Sequence, residues 1–414
     1  MDSPKKITII TANYYPEDTA IGLYTTQFAH YLKSEGYIVQ IITGFPYYPQ
    51  WKIKDSYLDG TTFFSETVDG ITIFRFKQFT PQKVTLSSRI LMMLSLFFGT
   101  LINLGKIKKT DLVICIVPFT ISIIPAFFLS KMKKAKLWIH IQDFEFDLAL
   151  ESGIIKKNNF ATSLLKKSIF SLETALFNAA DLVSSISYTM LEKVKVKSNH
   201  ANPYFFPNWI SAEKINPKIS SQHSLIDATK FTLLYSGNIG EKQDWQLLQK
   251  LCFLLKKEDL IEIVIVGDGS YINTLKENLA AFKFVKFYKP VPYQELNDLL
   301  CSADAHFLFQ KTNVLDTIMP SKILAMMASG KPSVISGHAI SEVNTIISES
   351  NGGYYFAGNN AAYEIYSALL KIKNKTFKTN MGENARTYIT EKFSEKLILS
   401  NVALKIKSLI DSTP

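Results

Sequence analysis

The sequence predicts an α/β protein made of two Rossmann-like domains, each built on a parallel sheet. Its 414 residues are about the length of two ordinary domains. In both halves, short apolar runs of strand length alternate with longer segments of helical character. The alternation stops at residues 202–210, where two prolines and four aromatic residues follow no period, and we interpret this segment as the hinge between the domains.

The first half opens with the order of a βαβ unit. A strand is predicted over residues 6–11, a helix over 22–36 with Gly36 as its stop, and a second strand over 38–43. Strands joined through a helix pair in parallel, so a parallel sheet is expected. Further buried strands are predicted at 112–117, 136–141 and 182–185.

The second half repeats the pattern after the hinge. Its strands are predicted at 231–236, 261–266, 285–288, 305–309 and 333–336, and its helices at 245–256, from 271, at 293–301 and at 321–329. We assign residues 1–205 to the first domain and 206–392 to the second. In sheets of this kind a ligand binds at the carboxyl ends of the strands.

The composition places the chain among packed globular proteins. Hydrophobic residues make up 47% and charged residues 20%, which excludes a disordered chain. The three cysteines lie far apart in apolar runs, which predicts buried thiols in a reducing compartment and neither disulfides nor a metal site. The apolar run at residues 7–10 is too short for a signal-peptide core. We therefore predict a cytoplasmic protein.

The net charge of +10 is unevenly distributed. No acidic residue lies between Gly70 and Thr110, where an apolar segment, Ile90 to Leu104, is flanked by cations. Such a segment is typical of a helix that lies on an anionic lipid surface, and equally of a core helix with solvated lysines at its ends. Peripheral contact of residues 88–109 with the inner face of a membrane is therefore one of two open interpretations. Nucleic-acid binding is not predicted, because the lysines do not alternate with exposed aromatic residues.

A second apolar stretch, Leu112 to Ser130, approaches the length of a membrane span. Pro118 and Pro125 interrupt it, and a strand, a turn and a helix use those prolines naturally. We predict that arrangement.

The segment SGNIGEKQ at residues 236–243 predicts an anion site. It follows a strand, and Gly237 and Gly240 allow close approach of a ligand to the backbone. Backbone amides at the start of the next helix, together with the Lys242 ammonium, suit a diphosphate. We assign Asn238 and Gln243 to the same site. An ordinary loop with a solvated lysine is the alternative.

A second anion site is predicted at residues 319–322. Pro320 and Ser321 are typical of a helix start, so Ser321 and Lys322 are expected at the positive end of the following helix. A plain helix cap with a surface lysine is the alternative. Two lysine-bearing loops at equivalent strand ends of one domain favour the functional interpretation.

Two other glycine segments carry less information. Gly267-Asp268-Gly269 follows a strand but lacks the third glycine of a dinucleotide fingerprint, so a tight turn is preferred to a nicotinamide cofactor. In the first domain, Gly22 is the one glycine of the loop at 16–22 where the backbone can approach a phosphate.

The strand predicted at 136–141 leads into a polar cluster. His140 and three carboxylates, Asp143, Glu145 and Asp147, leave one strand end together with Gln142, where ligands bind in such sheets. A lone histidine on a strand is usually a packed residue, and the cluster is what favours a site.

At these residues the sequence resembles the family-4 retaining glycosyltransferases, in the branch that contains colanic-acid fucosyltransferases and related exopolysaccharide enzymes. The resemblance covers nearly the whole chain. Its segments are NYYPEDTAIGLYT (13–25), PYYPQW (46–51), HIQDFEFDLALESG (140–153), FPNWI (206–210), SGNIGEKQ (236–243) and MPSKILAMMASGKP (319–332). It implies a GT-B fold, with two Rossmann-like domains facing across a cleft and a C-terminal helix within residues 393–414 that crosses back to the first domain.

The resemblance implies transfer of a hexose, fucose being one candidate, from a GDP- or UDP-sugar to a glycan or lipid-linked acceptor. The reaction would retain anomeric configuration and need neither metal nor other cofactor. The donor is expected on the second domain, and Gly22, Gly267, Asp316, Pro320 and Glu342 join the anion loops as donor-binding residues. Tyr14, Tyr15, His140 and Gln142 are expected to bind the acceptor.

In the expected mechanism, fixed cations and dipoles stabilise the charge on the departing diphosphate. This role falls to Lys242, Ser321, Lys322 and the adjacent amides. The leaving phosphate oxygen takes the acceptor proton, and Asp143 or Glu145 positions acceptor or sugar hydroxyls.

The sequence departs from the family pattern at two places. Asn238 stands near a family arginine, and Thr317 and Ala325 stand where the family has two glutamates. Asp316 lies beside the first of these positions, and Glu342 is a candidate for holding the ribose. A sugar-nucleotide 2-epimerase and a catalytically silent nucleotide-binding partner of a glycan-assembly complex therefore remain alternatives.

Overall fold

The computed structural model describes residues 3–18, 20–58, 60–81, 85–144, 160–200, 202–256, 260–312, 322–358 and 361–412. The chain divides into two compact units. Unit 1 comprises Met1–Pro207 and Leu399–Pro414, and unit 2 comprises Asn208–Ile398. The division after Pro207 lies inside the segment interpreted as the hinge.

Unit 1 contains an eight-stranded sheet in the order β3-β4-β2-β1-β5-β6-β7-β8. Every pairing is parallel except that of β3 with β4. The central strands are runs of valine, isoleucine and leucine buried on both faces, as expected of a sheet covered on both sides. The strands are β1 (Lys6–Ile10), β2 (Ile38–Gly44), β3 (Phe63–Val68), β4 (Ile71–Phe76), β5 (Leu112–Val117), β6 (Lys136–Ile141), β7 (Leu182–Ser185) and β8 (Tyr204–Phe205).

In the described ranges of unit 1, five helices connect these strands. They are α1 (Ala20–Ser34), α2 (Leu86–Asn103), α3 (Ile123–Lys133), α4 (Phe160–Asn178) and α5 (Tyr188–Lys197). A reciprocal capping box starts α2, in which Thr85 Oγ1 accepts from the Ser88 amide at 3.2 Å and Ser88 Oγ accepts from the Thr85 amide at 2.9 Å. The stretch Leu112 to Ser130 forms β5 and α3, so the predicted strand, turn and helix are confirmed.

Unit 2 contains a six-stranded sheet, all parallel, in the order β11-β10-β9-β12-β13-β14. Its strands are β9 (Phe231–Ser236), β10 (Ile261–Val266), β11 (Val285–Tyr288), β12 (Ala305–Phe309), β13 (Ser333–Gly337) and β14 (Gly353–Ala357). The helices are α6 (Trp245–Leu254), α7 (Ile272–Leu279), α8 (Leu296–Ser302), α9 (Lys322–Ala328), α10 (Glu342–Ser350), α11 (Ala362–Ile372) and α12 (Lys375–Lys392). The last helix, α13 (Glu395–Asp411), begins in unit 2 and belongs to unit 1 from Leu399 onward.

In both sheets the connections reverse direction at one place. In unit 1 this place lies between β1 and β5, and in unit 2 it lies between β9 and β12. Loops that leave two neighbouring strands in opposite directions open a crevice at the carboxyl edge of the sheet. The fold therefore offers one candidate binding position in each unit.

Candidate active site

The crevice of unit 2 brings the two predicted anion segments together. One is the loop after β9, and the other leads from β12 to Lys322, the first residue of α9. Asp316, Pro320 and Ser321 were predicted here and lie outside the described residues. Because β9 and β12 are neighbours in the sheet, Lys322 of the second predicted site lies beside the loop of the first.

The side chain of Lys322 reaches across to the loop after β9. Its Nζ lies 2.9 Å from Tyr235 Oη and 4.3 Å from the centroid of the Tyr235 ring. A Cβ added to Gly237 would lie 2.7 Å from this nitrogen. Gly237 also has φ +142°, a conformation that L side chains rarely adopt. The backbone conformation therefore favours glycine at position 237, and a side chain there would displace the Lys322 ammonium.

Lys322 is only partly accessible to solvent, and the described partner of its ammonium is neutral. Burial lowers the pKa of Lys322 to about 8. Burial also raises the pKa of the Tyr235 hydroxyl, which therefore stays neutral, donates to the Asn238 carbonyl at 2.5 Å and accepts from Lys322. Within the described ranges, no carboxylate lies within ion-pair distance of this ammonium. A buried cation without a counterion is suited to receive an anion.

The glycines after β10 let a second loop pack against the first. A Cβ on Gly267 would lie 2.0 Å from the Gly237 carbonyl oxygen, and a Cβ on Gly269 would lie 2.3 Å from that of Ile239. The Ile239 amide donates to the Asp268 carbonyl at 2.8 Å, and the Tyr271 amide donates to Ile239 at 3.0 Å. The segment therefore forms a turn, as predicted. Gly267 lets this turn pack closely against the backbone of the anion loop at Gly237.

Two of the loop amides predicted to cradle the diphosphate have partners within the protein. The amides of Gly237 and Gly240 already donate, to the Val266 carbonyl at 2.9 Å and to Gln243 Oε1 at 3.0 Å. The first turn of α6 is also occupied, because Asp244 Oδ1 accepts from the Leu247 amide at 3.0 Å. Lys242 lies two residues before this cap with an exposed side chain. The described positive charge at this crevice comes from Lys242 on the loop and Lys322 at the start of α9.

Glu342 occupies the first turn of α10, directly after β13, and is buried. It lies at the same carboxyl edge of the sheet as Lys322. Its predicted contact with ribose remains a prediction.

The crevice of unit 1 holds a pocket of about 310 Å³. It is formed by loops that follow β1, β2, β5 and β6 and by the first turns of α1 and α2. Of the predicted residues, Asp143 contributes to its lining, while Glu145 lies outside the described part of the chain. The lining residues are Asn13, Ala20, Ile21, Tyr47, Tyr48, Trp51, Arg89, Met92, Pro118, Phe119 and Asp143.

A buried carboxylate that the sequence analysis did not single out shapes this pocket. Glu17 is 3% exposed, and its Oε1 accepts from the amides of Tyr47 and Tyr48, each at 2.8 Å. Its Oε2 accepts from Asn13 Nδ2 at 2.9 Å. Burial raises the pKa of Glu17, although these donors oppose the shift. Glu17 therefore ties the loop after β1 to the loop after β2, and three of its partners line the pocket.

Gly22 has a packing role that its prediction as a donor-binding residue did not include. A Cβ at this position would lie 2.8 Å from the Glu17 Cβ. The first turn of α1 can approach the carboxylate only because this residue is a glycine.

The structure does not bring the predicted acceptor residues to the pocket. Tyr14 is buried, and burial raises the pKa of its hydroxyl. Tyr15 is exposed, and its amide donates to Thr26 Oγ1 at 3.0 Å. Three of the four aromatic side chains that do line the pocket, Tyr47, Tyr48 and Trp51, belong to the segment PYYPQW. That segment appeared in the family resemblance but carried no predicted role.

His140 is a core residue of unit 1. It is 2% exposed, its Nε2 lies 3.3 Å from Gln142 Nε2, and its Nδ1 lies 2.9 Å from Ser184 Oγ. If the Gln142 amide donates to Nε2, the neutral ring carries its proton on Nδ1. Burial lowers the pKa of His140 to about 3, so the ring is neutral at physiological pH. His140 and Gln142 thus stabilise the end of β6, and their predicted contact with an acceptor has no counterpart in the lining of the pocket.

The described residues contain no group of three or more histidine, cysteine, aspartate or glutamate side chains positioned to hold a metal ion.

Comparison with known proteins gives the family. The family described as glycosyl transferases group 1 matches residues 230–374. WcaI of Escherichia coli K12, named as a colanic acid biosynthesis glycosyl transferase, is 30% identical over 354 residues, covering 82% of this chain and 85% of WcaI. Sucrose-phosphate synthase from Thermosynechococcus elongatus has the same fold with TM-score 0.74 at 12% identity, covering 99% of this chain and 100% of that one. Anabaena HepE, solved with UDP, gives TM-score 0.68 at 12% identity, with 98% and 100% covered.

The structural matches agree with the two doubly wound units, and the family match at residues 230–374 lies within unit 2. The predicted GT-B fold is confirmed. The chain belongs to the group 1, family-4-like glycosyltransferases.

Proposed function

We propose that this glycosyltransferase moves a hexosyl group from a nucleoside-diphosphate sugar to a hydroxyl of a glycan or lipid-linked acceptor in surface polysaccharide synthesis. The observation that carries the donor half of the proposal is the buried Lys322 ammonium beside Gly237. It lies where the connections of the unit 2 sheet reverse, the position at which such sheets bind nucleotides.

A diphosphate supplies negative charge, which the described surroundings of the Lys322 ammonium do not. The described partners of its Nζ are the hydroxyl and the ring of Tyr235, both neutral. An anion placed at Gly237 stabilises the charged form of the lysine and raises its lowered pKa. Lys242, on the same loop and exposed, adds a second cation that can reach a ligand from the solvent side.

The same cations serve the chemistry. As the bond between the anomeric carbon and the diphosphate oxygen breaks, negative charge grows on the phosphate, and Lys322 and Lys242 stabilise it. The acceptor oxygen bonds to the anomeric carbon on the same face, and its proton passes to the departing phosphate oxygen. Configuration is retained, and the two lysines supply the positive charge that other enzymes take from a metal ion.

The acceptor half of the proposal rests on the unit 1 pocket. Its aromatic side chains offer flat apolar surfaces, and Asn13 and Asp143 offer polar atoms to hydroxyl groups. Such a lining suits a sugar ring, which has apolar faces and a polar rim.

The comparisons support the substrate classes without naming the substrate. HepE has been solved with UDP and with UDP-glucose, and WcaI is named for the synthesis of colanic acid. The cytoplasmic location that we propose is supported by the free, buried Cys115, Cys252 and Cys301. Burial raises the pKa of the Cys115 thiol to about 12, so this thiol is held unreactive.

A donor panel tests the proposal. UDP, GDP and their hexose derivatives, GDP-fucose among them, are screened by thermal shift, since a ligand at about 100 times its Kd stabilises by about 2.7 kcal/mol. The best donor is then incubated with glycan and lipid-linked acceptors, with and without EDTA, and the anomeric configuration of the product is read by NMR. We expect nucleoside diphosphate release that is insensitive to EDTA and a retained configuration. Failure of every nucleotide to stabilise the protein would refute the donor site, and inverted product would refute the retaining mechanism.

A further inference from the structure

Helix α2 has an exposed face without a single charge. From Ile90 to Gly105 the sequence contains no charged residue. At 100° per residue, the exposed apolar side chains fall within an arc of about 120°. They are Ile90, Leu91, Leu94, Phe98, Leu101 and Ile102, with Phe98 54% and Ile102 58% exposed.

The opposite side of α2 is buried against its own sheet. Met92, Leu96 and Asn103 are buried there, and α2 packs on β2 and β4. A helix on the surface of a globular protein normally turns charged residues to water. The exposed arc of α2 breaks this rule over more than three turns, so it calls for a covering partner.

A membrane-spanning role for α2 conflicts with the topology. The stretch Ser87–Lys106 is, within the described ranges, the one helix long and apolar enough to span a membrane, and 33% of its window is buried. However, α2 connects β4 to β5, and both strands belong to one parallel sheet. A spanning α2 would place them on opposite sides of the bilayer. The helix can meet a membrane only by lying along it.

The charge of the whole protein is concentrated around this helix. Residues 70–142 contain 11 of the 46 lysines and arginines and one of the 36 acidic residues. The rest of the chain therefore carries 35 of each, and the net charge of +10 belongs to this stretch alone. Arg75 and Lys136 are paired with Glu66 and Asp181. Others, among them Lys106, Lys108 and Lys109 directly after α2, are exposed.

Helix α3 extends the surface. The crossovers through α2 and α3 run in the same direction along the sheet, so their right-handedness places both helices on one face, and they are in contact. Phe128 and Met132 of α3 are exposed, and Lys131 and Lys134 lie beside them, also exposed. We call the exposed apolar residues of α2 and α3 the α2–α3 surface.

We propose that the α2–α3 surface docks on an anionic lipid bilayer, with α2 lying in the plane of the interface and the flanking lysines on the headgroups. Interfacial helices combine such an apolar face with cations at its margin. The charge decides against a second copy of the chain as the partner, because two such faces would bring like charges together. An anionic surface instead attracts them, by roughly fivefold in binding for each cation near the surface.

Vesicle co-sedimentation of the full chain tests the proposal. We expect binding to vesicles of equal parts phosphatidylcholine and phosphatidylglycerol that weakens as salt is raised, and at least tenfold weaker binding to phosphatidylcholine alone. Leu94→Asp/Phe98→Asp should reduce binding to the anionic vesicles by about tenfold or more through loss of apolar contact. Lys108→Gln/Lys109→Gln should reduce it by roughly 25-fold, fivefold for each cation, while leaving the apolar face intact.

The control is Val196→Asp, on α5, which changes an apolar residue 88% exposed outside the α2–α3 surface. It should bind as the parent protein does, and thermal melting should show that every variant is folded. Undiminished binding of both double variants would overturn the proposal. So would a lipid-free dimer that Leu94→Asp/Phe98→Asp dissociates, or protein that resists alkaline carbonate extraction as a spanning helix does.

Discussion

The two crevices of the molecule occupy the same position in their sheets, but the charged group in each has a different degree of hydrogen bonding and the opposite sign. In unit 2, the described partner of the Lys322 ammonium is the neutral Tyr235, and burial lowers the pKa of this lysine to about 8. In unit 1, Glu17 is a buried anion whose two oxygens accept three hydrogen bonds from Asn13, Tyr47 and Tyr48. A charge left unsatisfied is available to a ligand, and a satisfied one holds the protein in place. The comparison therefore assigns anion binding to Lys322, and to Glu17 the positioning of the loops that line the unit 1 pocket.

The largest effect is expected from Lys322→Met. Loss of the buried cation should lower kcat/KM by about 10³-fold, because the charge on the departing phosphate is no longer stabilised. At pH 7 the free energy of unfolding should rise by about 1–2 kcal/mol, because the cost of burying an ammonium disappears. Kinetics and chemical denaturation of the same preparation measure both. A variant that is inactive and also destabilised would make Lys322 structural and break the comparison.

Lys242→Ala should lower kcat by about 10²-fold, since this lysine supports the same phosphate from an exposed position. Its unfolding should match that of the parent. Lys250→Ala, on the exposed side of α6, is the matched control and should keep full activity. Equal rates for Lys242→Ala and Lys250→Ala would show that the exposed cation plays no part.

The pH dependence of nucleotide binding sharpens the assignment of Lys322. Above pH 8 the free enzyme loses the proton that the diphosphate needs, so affinity should fall by up to about tenfold per pH unit. In the unliganded protein, stability should rise from pH 8 toward pH 10.5, because the unfolded chain holds the proton that the folded chain has released. Calorimetric titration across this window should show proton uptake on binding, and Lys322→Met should abolish both trends.

A smaller effect is expected from Glu17→Gln. The substitution keeps the size of the side chain but replaces one accepting oxygen with a donor, so one hydrogen bond to Asn13, Tyr47 or Tyr48 is lost. The KM for acceptor should rise by roughly fivefold, about the equivalent of one hydrogen bond, with kcat and donor affinity unchanged. A drop in kcat with KM unchanged would instead place Glu17 in the chemistry.

The sequence predicted the buried strands best. β5, β6, β7, β9, β10, β11 and β12 have the predicted bounds. All of these except β11 are inner strands, and their mainly apolar runs, buried because the sheet is covered on both faces, are visible in a sequence. The edge strands β3 and β14 were missed, since their half-exposed residues interrupt the run.

The site was predictable only where its parts are local. Lys242 and Lys322 were found from helix-start and loop patterns, but they were assigned to two sites. Both lysines lie at one crevice because β9 and β12 are neighbours in the sheet, which the sequence order does not reveal. Glu17 was missed for the same reason, because the amides that define its role lie 30 and 31 residues further along the chain. The burial of His140 was not predictable either, because proximity in sequence to carboxylates says nothing about which way a ring points.

Helix α2 contributes to two different surfaces of unit 1. Its first turns supply Arg89 and Met92 to the lining of the unit 1 pocket, while its other side is the exposed apolar arc. One helix thus forms part of the wall of a binding pocket and carries the apolar arc that we propose lies on a membrane. Docking through that arc would confine enzyme and lipid-linked acceptor to the same thin layer, so their encounters would be set by acceptor density per unit area of membrane and no longer by concentration per unit volume. The rate of such an enzyme would respond to the composition of the bilayer even though no lipid takes part in the reaction.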